Sequence, residues 1–339
     1  MWFQVTIVGM VDRFADFVAP RVLRNKHVQS LGAALPLWVR SEVAFEPLRI
    51  ALPGDGGHLH ASAAWHPEGE RTAVVIVHGV GGSADSSYAV RAALGLYAAG
   101  FHVVRLNLRG AGNSIPDVTA LYHAGLVEDP IAALAHVAKR ANVKDVALLG
   151  FSLGGNVSLR SAGHWGANVP AHVRAVASVS APLDLVETQR SLERLRAFPY
   201  RAYVVRALVR QGREFARVHP SRAQYDVASL RRMRTIRAYD DAVIAPMHGF
   251  CDAHDYYVNA SCGPGLADIV VPTMIVHAAD DPMVPEDSVR PWLRNASKAV
   301  RVAWSDRGGH VGWFSGVRED AWVRTWALGR VIDFFRDAR

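Results

Sequence analysis

Three residues of this sequence, Ser152, Asp281 and His310, have the types and surroundings to make an alcohol nucleophilic. An alcohol attacks a carbonyl only when a base takes its proton, and the base works best when a third group fixes its orientation. Ser152 stands in Gly150-Phe151-Ser152-Leu153-Gly154-Gly155, directly after the apolar run Val146-Ala147-Leu148-Leu149. That run is too short for a helix and reads as a strand buried on both faces; Leu153 onwards, through Val157 and Leu159, reads as a helix. A strand that becomes a helix within one residue strains the residue at the hinge. Glycines at 150 and 154 remove the side chains that would collide there. The turn pushes the Ser152 hydroxyl away from the backbone and leaves the Leu153 amide at a helix N-terminus, able to donate to a developing oxyanion.

The base must be a histidine delivered to the same edge. Of fifteen histidines, only His310 lies in a loop after a late strand and between glycines, Gly308-Gly309-His310-Val311-Gly312. His123, His248 and His254 follow no buried strand and are expected to be lid or supporting groups. The acid is expected at Asp281, three residues before Val284-Pro285, with Asp280 and Asp184 as alternatives. His78-Gly79-Val80-Gly81-Gly82-Ser83 follows the apolar strand Thr72 to Val77. No G-K-[ST] follows and G-x-G-x-x-G is not matched, so phosphate-loop readings fall away. What remains is an oxyanion loop in which the Val80 amide is the second donor, Gly79 frees the backbone and His78 braces the turn. This chemistry needs no metal and no organic cofactor.

These loops need a scaffold. Val43 to Leu52 and His58 to Trp65 read as a hairpin across Pro53-Gly54-Asp55-Gly56-Gly57. From there strands and helices alternate: strand 72–77, helix Ser87 to Ala99, strand His102 to Leu108, helix Asp129 to Arg140, the Ser152 strand and helix, and strand Val173 to Ser180. Such alternation predicts an α/β protein with a mostly parallel central sheet and helices on both faces. Ligands in such sheets sit at the carboxyl ends of the strands, where the His78 and Ser152 loops both lie. From Leu183 the strand pattern stops, and amphipathic helical stretches, including Leu192 to Val209 and Val227 to Tyr239, run until a strand returns at Thr273 to Val276. An all-helical insertion between two strands is a lid candidate. A last strand, Val300 to Trp304, leads to His310, and a helix, Trp322 to Arg336, closes the chain. The domains expected are a helical extension at 1–42, with Ile7, Met10, Val11, Phe14 and Val18 on one stripe, a core at 43–182 and 272–339, and a lid at 183–271.

With 50% hydrophobic residues over 339 positions, the chain can bury a large core. No apolar run is long enough to cross a bilayer, no signal peptide is expected, and two cysteines, Cys251 and Cys262, make no disulfide framework. A cytoplasmic protein is expected. The net charge of +7 is local: Leu183 to Asp240 holds 13 Arg, no Lys and 6 acidic residues. That segment accounts for the whole excess. Without a nucleic-acid motif it suggests no nucleic-acid partner; it is a solvated face or one that meets an anionic membrane or an anionic acyl donor.

The elbow, the His78-Gly79 loop and the Asp281/His310 pair resemble the α/β-hydrolases. Tyr122-His123-Ala124-Gly125-Leu126-Val127-Glu128-Asp129, the stretch from Tyr239-Asp240-Asp241 through His248-Gly249-Phe250 to Tyr256-Tyr257, and Gly308 to Gly312 resemble the YheT-like subfamily. Asn25-Lys26-His27-Val28-Gln29 is similar to that subfamily's Asn-Pro-His-x-Gln element, with Lys26 in place of proline. The resemblance implies the α/β-hydrolase fold and a serine esterase acting on small-molecule esters of short- to medium-chain acids. Two other outcomes stay open: an acyltransferase passing the acyl group to an alcohol, and a non-catalytic lidded ligand-binding homologue. The H-x-x-x-x-D acyltransferase signature is absent, since no histidine has an aspartate five positions on.

Overall fold

Along β3 (Arg71–Val77) and β5 (Val143–Phe151) every second side chain enters a different core. Val75, Val77, Val146 and Leu148 join one buried cluster, whereas Val74, Ile76, Ala147 and Leu149 join another. A strand buried on both faces has no polar side to show, which is why these segments read as unbroken apolar runs. The computed structural model describes residues 17–35, 42–54, 57–316 and 325–338. The expected helix through Ile7, Met10 and Phe14 lies outside them.

The sheet has eight strands in the order β1-β2-β4-β3-β5-β6-β7-β8. The remaining strands are β1 (Glu46–Ala51), β2 (His58–Ala64), β4 (His102–Leu106), β6 (Val173–Val179), β7 (Thr273–Ala278) and β8 (Val300–Ser305). β1 and β2 form an antiparallel hairpin, β2 runs antiparallel to β4, and every later pairing is parallel. Helices α2 (Ser87–Ala98), α3 (Glu128–Val137) and α4 (Leu153–Trp165) connect the parallel strands, and Trp326–Asp337 ends the described chain. Because these pairings are parallel, the C-terminal ends of β3, β5, β7 and β8 lie along one edge.

Between β6 and β7 the chain is helical, with no strand among its residues. The expected boundaries shift. The helix expected over Leu192 to Val209 is α6, Phe198–Val218, which begins where Pro199 suits a first turn. The stretch Val227 to Tyr239 is not one helix: Ser229–Arg232 forms a 3-10 turn, and Thr235 caps a fresh turn, α7 (Ile236–Tyr239), by accepting from the Ala238 amide. Asp240–Ile244 then widens into a π-helical turn. Helices α5 (Leu185–Leu192), α6 and α9 (Ala253–Ala260) build a third apolar cluster around Phe215, Leu230 and Tyr239. The insertion is tied to the Ser152 helix by fully buried Asn156, whose Nδ2 donates to Ala124 O and Ala260 O and whose Oδ1 accepts from Cys262 N, all at 2.9 Å. A buried amide with three partners is fully compensated and fixes register where apolar packing alone would slide.

Candidate active site

Ser152 has φ 53° and ψ −123°, between the end of β5 and the first turn of α4. A serine holds that conformation only where its surroundings enforce it. Here its amide donates to Val179 O at 2.9 Å, and the two flanking glycines have no room for a side chain. A Cβ on Gly150 would lie 2.1 Å from Gly154 O, and one on Gly154 would lie 2.4 Å from both Val77 O and His78 O. Helix α4 therefore packs backbone to backbone against the end of β3, which brings the His78 loop alongside the serine.

His310 Nε2 lies 3.0 Å from Ser152 Oγ, and His310 Nδ1 lies 2.8 Å from Asp281 Oδ2. Asp281 Oδ1 accepts from the amides of Met283 and Val284 at 2.8 and 2.9 Å. Burial works against the Asp281 charge, but the neighbouring His310 ring, His277 and the Val284 amide outweigh it and leave the carboxyl below its ordinary value. A carboxylate accepts only, so the proton of the neutral imidazole sits on Nδ1 and the Nε2 lone pair is left for the serine hydroxyl.

The histidine loop after β8 is held from several sides. Gly309 N donates to Asp280 Oδ1 at 2.9 Å, His310 N to Ser30 Oγ at 2.8 Å, and Val311 N to Ser180 Oγ at 3.1 Å. Gln29 accepts from Phe314 N through Oε1 at 2.7 Å and donates to Leu23 O and Phe314 O through Nε2. Ser180 and Val311 both have positive φ, 55° and 60°. For a β-branched residue such as Val311 that is a strained backbone, maintained by this net of bonds. Gln29 and Ser30 belong to α1 (Lys26–Ala34), which Asn25 caps by accepting from His27 N at 2.8 Å. Lys26 occupies the first helical position, the one that proline also suits.

The other side of the site is the loop after β3. Gly79 N donates to Tyr88 Oη and Gly81 N to Tyr122 Oη, each at 2.7 Å, and the amide between them, Val80 N, has no acceptor among the described residues. The Leu153 amide at the start of α4 is likewise uncommitted there. His78 is fully buried; its Nε2 accepts from Leu108 N at 3.3 Å, so Nδ1 carries the proton and donates to Gly79 O at 2.8 Å. Burial pushes this imidazole down to about 4, and it stays neutral. The two tyrosine hydroxyls thus clamp the loop on either side of the Val80 amide. Tyr88→Phe and Tyr122→Phe are each expected to lower kcat toward an ester about tenfold with KM little changed, because a displaced donor weakens only the charge that develops in the transition state. Equal losses in kcat and in affinity would contradict a role confined to the loop.

Residues 72–315 match the family described as the alpha/beta hydrolase fold. The chain is also 30% identical to YheT of Escherichia coli (strain K12), over 89% of its own length and 88% of that protein's. The chain belongs to the alpha/beta hydrolases. A second relative of this hydrolase, the monoacylglycerol lipase of Saccharomyces cerevisiae, is 27% identical over 78% of this chain and 59% of its own. Among solved structures, the Pyrococcus furiosus esterase Pf2001 superposes with a TM-score of 0.56 at 16% identity, covering 90% of this chain and 99% of the other, a likeness of fold.

Within the hydrolase the alternative acids go elsewhere: Asp280 holds the Gly309 amide, and Asp184 caps α5 by accepting from Glu187 N at 3.0 Å. His254 is exposed, while His123 and His248 meet at a tilt with ring centroids 4.3 Å apart, beside Phe250 and Tyr256. Cys262 is buried and Cys251 exposed, both as free thiols. No helix among the described residues is long and apolar enough to cross a membrane. Sequence reasoning missed Tyr88, Ser30, Gln29 and Ser180 as parts of the site. The only signal for any of them was the resemblance that covered Gln29.

Proposed function

We propose that this alpha/beta hydrolase cleaves carboxylic esters through an acyl-enzyme on Ser152. His310 takes the hydroxyl proton as the oxygen attacks the carbonyl, returns it to the departing alcohol, and then activates water to release the acid. Asp281 fixes the ring and balances its transient charge. The Val80 and Leu153 amides receive the oxyanion, a contribution of about 3 to 4 kcal/mol per donor. The observation that carries this reading is the pair of contacts on His310, 3.0 Å to Ser152 Oγ and 2.8 Å to Asp281 Oδ2, beside two uncommitted amides. The names of the two relatives support the same reaction class.

Two cavities meet at Ser152. The larger, of about 460 Å³, runs past Leu31, Tyr88, Arg196 and Tyr203; the smaller, of about 90 Å³, reaches under the helical insertion past Leu185, Leu208, Ile236 and Ile244. The insertion acts as a lid in this reading, since its helices wall both spaces. Chromogenic esters of increasing chain length, assayed alongside labelling by a fluorophosphonate probe, test the proposal. Hydrolysis with labelling at Ser152 is expected; a protein that neither labels nor turns over any ester of the series would remove it.

The surface next to the larger cavity favours one further reading. Leu31, Arg196 and Tyr203 line that cavity and are exposed, and Leu195, 87% exposed, and Phe198 flank Arg196 and Pro199 in sequence, with Arg194 and Arg206 exposed on the same insertion. Apolar side chains ringed by cations suit an anionic bilayer surface that delivers substrate into the mouth. Co-sedimentation with anionic vesicles and not with neutral ones is expected, and equal binding to both removes this contact.

A further inference from the structure

The smaller cavity is apolar along most of its wall, yet polar side chains line it, among them Asp240, on the π-helical turn, and His123. Asp240 is 6% exposed. Its Oδ2 accepts from Tyr257 Oη at 2.6 Å, whereas its Oδ1 has no hydrogen bond among the described residues. A buried carboxyl with an idle oxygen is expensive, because water cannot reach it freely and no protein donor replaces the water. His123 offers the opposite polarity. Its Nδ1 accepts from Gly125 N at 3.1 Å, so the proton of the neutral ring sits on Nε2, which has no acceptor among the described residues. Burial, aided by His248, lowers this imidazole to about 3 and keeps it neutral. The cavity therefore presents an idle acceptor, Asp240 Oδ1, and an idle donor, His123 Nε2, on a mostly apolar wall.

A hydroxyl is the small group that satisfies both at once, since it donates one hydrogen bond and accepts others. The space of about 90 Å³ equals roughly three waters of liquid, enough for a short arm of a few heavy atoms. Which half of an ester enters follows from the order of events in acyl-enzyme chemistry. The alcohol must leave and water must enter before the acyl group is released. The larger cavity, about 460 Å³ against about 90 Å³, gives that passage, so the acyl arm takes the smaller one.

Resting on the ester-hydrolase reading, we propose that the smaller cavity is a specificity pocket for short acyl groups bearing a hydroxyl, which donates to Asp240 Oδ1 and accepts from His123 Nε2. The pocket then selects hydroxyacyl esters over their unsubstituted and keto analogues. A methylene arm leaves both polar groups unpaired, and a keto arm sets its oxygen against the carboxylate. Pockets built to bond a hydroxyl reject analogues that lack it far more strongly than apolar pockets reject a change in length.

The test compares ethyl 3-hydroxybutanoate, ethyl butanoate and ethyl 3-oxobutanoate at pH 8, above the value of about 7 to which burial raises the Asp240 carboxyl. The wild-type protein is expected to favour the hydroxy ester in kcat/KM by about 10- to 100-fold over either analogue. In Asp240→Asn the carbonyl still accepts from Tyr257, so the fold is kept, but the amide turned to the cavity is a donor. The preference is expected to collapse to within about threefold of the unsubstituted ester and to turn toward the keto ester. A wild-type ratio near one, or a variant that slows all three esters by the same factor, overturns the proposal and leaves Asp240 a structural partner of Tyr257. Calorimetric binding of the same esters to Ser152→Ala, with and without Asp240→Asn, reads the pocket without turnover. Discrimination there by a protein whose wild type hydrolyses none of the esters would support the pocket and remove the hydrolase reading; equal binding of all three removes the pocket.

Discussion

Ser152→Ala is expected to lower kcat for a chromogenic butanoate ester by about 10,000- to 1,000,000-fold and to abolish fluorophosphonate labelling, while the denaturation midpoint stays within error of the wild type. The rate loss is large because, among the described residues, no other hydroxyl is bonded to His310 Nε2. Stability is spared because, among the described residues, the serine side chain makes no hydrogen bond beyond that contact: the hinge is held by the Ser152 amide on Val179 O and by the close approach of Gly150 and Gly154 to neighbouring backbone. Activity within about a hundredfold of the wild type would mean that the nucleophile lies elsewhere, whatever the geometry at the elbow.

The second large effect concerns a proton's position. Asp281→Asn keeps an acceptor for the Met283 and Val284 amides, so its carbonyl oxygen stays where Oδ1 now lies and its NH2 turns to His310 Nδ1. A donor facing Nδ1 forces the imidazole proton to Nε2, where it meets the serine oxygen as a donor and can no longer accept its proton. A loss of about 10,000-fold in kcat is expected, with KM little altered, by analogy with the same exchange in other serine hydrolases. Asp280→Asn serves as the control. Its oxygen bonds a backbone amide that an asparagine carbonyl satisfies equally, and it is expected to cost tenfold or less. Equal losses at 280 and 281 would contradict the assignment of the acid. The charged Asp281 also couples stability to pH. Its native carboxyl lies below the ordinary value near 3.8, so its stabilising contribution is complete above that value and is lost as pH falls through the lowered one.

The family relationship places limits on what fold can say. An alpha/beta hydrolase sheet hosts many reactions, and the likeness to Pf2001 at 16% identity is one of architecture. The chemistry has to come from the site. Here it rests on the accepting and donating roles around His310 and on the polarity of Asp240 and His123 in a cavity of about 90 Å³.

Much of this was legible in the residues. Val74 to Val77 and Val146 to Leu149 are runs without a polar face, and glycines stand at 150 and 154, where the backbone makes its closest approaches. Val80, Ser152 and Asp281 stand within three residues of the end of a buried strand and His310 five residues past β8, so type and spacing were enough to nominate them. The expected helices at 192–209 and 227–239 fared worse, because amphipathic periodicity does not register where Pro199 starts one helix or where Thr235 caps the next.

What the chain dictates locally is therefore the set of strands, the strained turns and the residue types at their ends: these follow from sterics and apolar periodicity within a few positions. What only the folded molecule decides is which distant groups meet there. Ser30 reaches the His310 amide across 280 positions, Gln29 reaches Phe314 across 285, and Tyr122 grips the loop after β3 across 41. A hydrogen bond between such partners depends on where two elements pack, and neither residue carries a mark of the other in its own neighbourhood. The idle oxygen of Asp240 belongs to the same class, since a carboxylate becomes a recognition group only once the packing of three helices has taken it out of water.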